Sequence, residues 1–122
     1  MNQLELMGKV RRAGYNCAHY AGDVWEHETG QDIRHLLTGF LASRHNRHVS
    51  PGLRREFVRL EKPKSPCLVM FRRPSAKQAE PHCGVYVRGR VLHLDREMPF
   101  RQLLDDVVRQ NGFTVVGFYD PC

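Results

Sequence analysis

No apolar run in this chain approaches the roughly 20 residues a transmembrane helix needs, so membrane insertion is not expected. The opening Met1-Asn2-Gln3-Leu4-Glu5-Leu6 lacks the basic-then-apolar pattern of a signal peptide, and synthesis in a cytoplasm without an export signal is expected. The four cysteines, at 17, 67, 83 and 122, include no C-x-x-C pair and do not outline the disulfide framework of a small secreted domain. Mostly free thiols are expected. Internal repeats and low-complexity tracts are also missing. At 122 residues, with 41% hydrophobic and 26% charged content, the chain can bury one continuous core but not two, so residues 1–122 read as a single ordered domain.

Acidic residues are the scarcer charge: 13 Asp and Glu stand against 19 Lys and Arg, leaving +6. The excess concentrates between Arg44 and Lys64, in Arg44, Arg47, Arg54, Arg55, Arg59, Lys62 and Lys64. Such a surface suits nucleic acid, acidic lipid or an anionic cell-wall polymer, or is simply a solvated basic face. It lacks the interleaved aromatics that stack on bases, with Phe57 alone, and nucleic acid is not an expected partner.

The pattern along the chain changes period once. Leu4, Leu6, Met7 and Val10 suggest a short helix over residues 2–13, ending near Gly14. A second helix starts with Asn16 as its cap, putting Cys17, Ala21 and Val24 on one face. Thr29-Gly30-Gln31-Asp32 resembles a capping box ahead of a third helix carrying Ile33, Leu36, Leu37, Phe40 and Leu41. From His45 to Pro66 the breakers predict loop, with at most one helical turn around Leu53 to Phe57. Strand patterns follow: Cys67–Phe71, a hairpin of Gly84–Val87 and Val91–Leu94 across Arg88-Gly89, and Thr114–Tyr119. Pro99 to Arg109 reads as a helix between the last two. Helices first, then a mostly antiparallel sheet, is the α+β class.

Cys17 carries the chemistry. A thiol in the first turn of a helix feels unpaired N–H groups and the positive dipole end, which favour thiolate, the nucleophilic form. A two-residue turn at Arg88-Gly89 sets Val87 opposite Arg90, Gly84 opposite His93 and His82 opposite Asp95, so all four of His82, Gly84, His93 and Asp95 share a sheet face. His82 and His93 become diagonal neighbours with open space at Gly84 between them, and Cys17 faces them from its helix. His82 then takes the Cys17 proton, and His93 orients the His82 ring, with Asp95 a competing orienter. His19, two positions after Cys17, points away from it on the helix, and His27, His35, His45 and His48 read as surface or loop residues. Cys67, Cys83 and Cys122 carry no role.

The segment His82-Cys83-Gly84-Val85-Tyr86-Val87-Arg88-Gly89-Arg90-Val91-Leu92-His93 resembles the H-x-G-I/V-Y-x-G-x-x-x-x-H hairpin of the NlpC/P60 cysteine peptidases. Asn16-Cys17 is similar to the D/N-C that opens their catalytic helix, and Pro66-Cys67-Leu68-Val69-Met70-Phe71 to the G-D-L-V-x-F strand ahead of the hairpin. The resemblance, over about residues 14–95, implies a papain-like NlpC/P60 core and a catalytic set of Cys17, His82 and His93. It also implies hydrolysis of an amide in peptidoglycan stem peptides, typically between D-glutamate and the diamino acid. Size and the closing Gly117-Phe118-Tyr119 look most like stand-alone members of phage tail modules, which implies a virion tail acting in the periplasm during entry. The family's Cys-Ser-Gly is Cys17-Ala18-His19 here, and its Gly-Asp is Pro66-Cys67. Tyr15 is an auxiliary candidate, either donating to the substrate carbonyl or simply packed; the Cys17 backbone N–H is the candidate oxyanion donor.

Three other readings compete. Zinc would find ligand types in Cys17, His82, Cys83 and His93, but alternation turns Cys83 to the sheet face opposite His82, and no cofactor or metal is expected. A structural or adaptor module of a phage tail tip or baseplate, with weak or lost hydrolysis, would dock to other tail proteins. Acyl transfer or thioester cleavage would use the same nucleophile.

Overall fold

The computed structural model describes Gly8 and residues 15–37, 57–74 and 80–121. The expected helix at 2–13, the end of the third helix, most of the loop and basic segment before Phe57, His45, His48 and Cys122 lie outside the described residues.

Helix α1 spans Cys17–Thr29. Asn16, in extended backbone, caps it: its side-chain oxygen accepts from the Ala18 amide at 2.9 Å, while the Asn16 N–H donates to His19 Nδ1 at 3.2 Å. His19, expected to point away from Cys17, closes this cap. Gly30 ends the helix in the left-handed region, φ 78°, and its N–H donates to the Glu26 carbonyl at 2.7 Å. Thr29 therefore belongs to the end of α1, not to the start of the next helix. Asp32 takes that starting role, accepting from the Arg34 amide at 3.1 Å ahead of helical residues 34–37.

The sheet has six strands: β1 Phe57–Leu60, β2 Cys67–Arg73, β3 Glu80–Val87, β4 Arg90–Asp95, β5 Met98–Gln102 and β6 Thr114–Pro121, in the order β1-β6-β2-β3-β4-β5. Every pairing is antiparallel. With α1 packed on it, this is the α+β arrangement. The β3–β4 turn is the expected two-residue one, with Val87 paired to Arg90; Arg88 at φ 47° and Gly89 at φ 83° meet the two positive φ angles of a type I′ turn. The Arg88 guanidinium reaches Glu28 on α1 at 3.2 Å, tying the turn to the helix.

Two further expectations fail. Phe57–Leu60 is strand β1 on β6; its alternation is masked by exposed Val58 and Arg59, leaving only Phe57 buried. Pro99 to Arg109 is not one helix. Asp95 pairs with Met98 around Arg96-Glu97, and Met98–Gln102 runs back along β4 as an edge strand, where a proline is tolerated. Helix α2 is confined to Leu104–Asn111, closed by Gly112 at φ 75°. Competition from β4 for backbone partners overrode the helical spacing of Phe100 and Leu103.

The two sheet faces differ. Tyr20, Ala21, Val24 and Trp25 of α1 pack with Leu68, Met70, Cys83, Val85, Val87, Leu92 and Leu94. The other face holds Val69, Phe71, Val91, Val107 and Phe113. Each fully buried Val or Leu contributes about 1.5–3 kcal/mol of transfer free energy. No helix among the described residues is long and apolar enough to cross a membrane.

Candidate active site

Cys17 is the first residue of α1, and that first turn contains no acidic side chain to oppose a thiolate. The Cys17 thiol is held well below its ordinary pKa. The hydrogen bond from the Cys83 thiol is the largest cause; burial opposes it, and the hydrogen bond and charge of His82 lower it further. Cys83 is pushed well above its ordinary value by that same hydrogen bond and by burial. Cys67 is raised chiefly by burial, which outweighs the backbone hydrogen bond and charge of Lys64. Cys83, assigned no role from the sequence, is thus a thiol donor to Cys17. Its burial was legible; its proximity to Cys17 was not, because that depends on how α1 docks.

The histidines behave as the hairpin register requires. His82 Nε2 and His93 Nδ1 lie 2.8 Å apart, so both rings are on one sheet face. Gly84 is not open space: a Cβ there would stand 3.0 Å from the His93 Cβ, the Leu92 carbonyl oxygen and Val91 Cγ1. The glycine lets His93 pack down on β3. Nor do the histidines and Cys17 share one surface of the sheet. Helix α1 covers the Cys83 face, His82 belongs to the other, and the Cys17 sulfur interacts with both of these consecutive residues of β3.

Aromatic rings enclose the pair. Phe113 stacks on His82 at 4.3 Å and 9° between planes; Phe100 stacks on His93 at 5.5 Å, and Phe71 tilts against both. His82 and His93 are buried. Burial, with the neighbouring His82 charge, pushes His93 down to about 4, so its ring is neutral near pH 7. Its Nε2 lies 2.8 Å from Gln102 Oε1. Gln102 was missed because residues 99–109 read as helix; once β5 is a strand, Gln102 sits opposite Val91, within reach of His93.

Asp95 does not orient His82. Its carboxylate accepts from Arg73 Nη2 at 2.7 and 2.8 Å and from Asn111 Nδ2 at 2.8 Å. Burial opposes its ionisation, but those hydrogen bonds outweigh it and hold Asp95 below the ordinary carboxylate range. Tyr15 donates its hydroxyl hydrogen to Asp23 and stacks on His19, which is the packed reading rather than a donor to substrate. Asp23 is also held by Arg34. His27 and His35 are exposed. Among the described residues no group of three or more His, Cys, Asp or Glu side chains is arranged to hold a metal ion.

In comparisons with protein-family models, curated proteins and solved structures, the chain matches none.

Proposed function

We propose that this domain is a cysteine hydrolase of the NlpC/P60 type, with a papain-like core, that cleaves an amide bond in peptidoglycan stem peptides as part of a phage tail tip. The observation that carries the hydrolase reading is the contiguity of a helix-start thiol, His82 and a 2.8 Å His82–His93 bond. The wall substrate and tail setting rest on the hairpin and Asn16-Cys17 resemblance.

His82 takes the Cys17 proton on Nδ1, the nitrogen left over from the His93 bond. The thiolate attacks the carbonyl carbon. As the tetrahedral intermediate collapses, the C–N bond breaks and His82 returns the proton to the leaving amine. Water, deprotonated by His82, then attacks the thioester, releasing the carboxylate and restoring the thiol. The Cys17 N–H, one residue ahead of the amides that Asn16 holds, is the donor assigned to the developing oxyanion.

Purified Gram-negative sacculi incubated with wild type and with Cys17→Ala, followed by muropeptide analysis, test this reading. New amino termini are expected with wild type alone. Equal, uncleaved muropeptide profiles, together with stable binding to a tail component, would favour the adaptor reading instead.

A further inference from the structure

The proton positions along the buried polar chain follow from its far end. Asp95 is a buried carboxylate facing Arg73, and an ionised carboxylate only accepts. The Asn111 atom 2.8 Å from Asp95 Oδ2 is therefore its NH2 group. That turns Asn111 Oδ1 toward Gln102, at 3.0 Å, where it accepts from Gln102 Nε2. Gln102 must then present Oε1 to His93 Nε2 at 2.8 Å, and that nitrogen carries the hydrogen. A neutral imidazole has one N–H, so His93 Nδ1 is a bare acceptor and His82 Nε2 donates to it. His82 Nδ1 is left facing the thiol as the nitrogen that takes its proton.

Arg73 is itself fixed. Its Nε donates to the Asn111 carbonyl at 3.1 Å, and its guanidinium carbon lies 4.1 Å from the centre of the Phe113 ring that stacks on His82.

We propose that Gln102 is a positioning residue: anchored through Asn111 to the Arg73–Asp95 pair, it holds the proton of His93 on Nε2 and thereby selects the His82 tautomer able to accept the Cys17 proton. The reverse polarity would place a hydrogen on His82 Nδ1, and the neutral ring would be unable to take the thiol proton. The inference rests on His82 being the base of the hydrolase, but not on what that hydrolase cleaves.

The test is 15N NMR of the imidazole nitrogens in the full chain, beside the rate of Cys17 alkylation by iodoacetamide near pH 7. In wild type, His93 should carry its hydrogen on Nε2 with Nδ1 bare, and His82 should carry one on Nε2 whether or not Nδ1 holds the thiol proton. Gln102→Met, similar in length but without an acceptor oxygen, should lose the single His93 tautomer and slow Cys17 alkylation about five- to tenfold, the equilibrium worth of one hydrogen bond. Gln102→Glu keeps an acceptor toward His93 but gives up the donor to Asn111 Oδ1, so it should keep the His93 hydrogen on Nε2 and alkylate faster than Gln102→Met. A wild-type His93 protonated on Nδ1 overturns the proposal even if no variant folds. So does a folded Gln102→Met with unchanged tautomer and rate. If the tautomers are as expected and sacculi are not cleaved, the chain of donors stands and the stem-peptide substrate falls.

Discussion

The two faces of the sheet solve different problems. Beneath α1 the contacts are apolar: Tyr20, Val24, Trp25, Leu68, Val85 and Leu94 are each essentially sealed from solvent, and the face stabilises the fold by area removed from water. The opposite face has equally buried groups, but among Phe71, Phe100 and Phe113 it threads His82, His93, Gln102, Asn111, Asp95 and Arg73, each bonded to the next. The apolar face is indifferent to direction. The polar face is not, since each donor must meet an acceptor, and a single reversed amide would propagate to the base. Cys17 joins them, its helix on the first face and its sulfur also meeting His82 of the second.

The comparison breaks most sharply at the base. On the proposed hydrolase reading, His82→Ala leaves no group to take the thiol proton or protonate the leaving amine, so muropeptide release should fall by roughly 10²–10⁴-fold while denaturant unfolding stays cooperative. Leu68→Ala is the complementary change on the apolar face. It should cost about 2–5 kcal/mol in urea unfolding and leave the alkylation pH profile of Cys17 in the folded protein where it was.

Acid should act through the polar face. His93 binds its proton near pH 4 when folded and near its ordinary 6.5 when unfolded, so between those values the unfolded chain holds the extra proton. Stability therefore falls as pH drops from about 6.5 to about 4 and the contribution levels off below. At full effect this is about 3 kcal/mol, and His93→Gln should flatten that part of a stability profile measured by chemical denaturation. Asp95, lowered rather than raised, contributes its own loss only at more acidic pH.

Gly84→Ala should show a smaller effect of mixed kind. Its Cβ would press on the His93 Cβ and on the Leu92 carbonyl, which as backbone cannot yield easily. A cost of about 1–3 kcal/mol is expected, together with a weakened His82–His93 bond visible in the imidazole 15N spectrum.

What was legible in the sequence was what short-range rules govern. Asn16 before an amphipathic run gave the cap and thus the Cys17 position; Arg88-Gly89 between alternating segments gave the turn, its register and the shared face of His82 and His93. The rest depended on pairings between distant segments. Phe57–Leu60 becomes a strand only because β6 lies beside it, and Met98–Gln102 leaves its helical pattern only because β4 offers a ladder. Misassigning that one segment hid Gln102 and left Asp95 as a competing orienter, although Arg73 and Asn111 already occupy it. Cys83 was invisible as a partner for the same reason, its neighbour being supplied by helix docking rather than by sequence.

The central claim is that Cys17 is an activated thiol. Mass-spectrometric mapping of iodoacetamide labelling across pH, with Cys67 as the internal reference, measures it directly. Cys17 should reach half-maximal reactivity well below the ordinary thiol value of about 8.5 and Cys67 above it, and His82→Ala should move the Cys17 midpoint upward. A Cys17 midpoint at or above that of Cys67 would contradict the account.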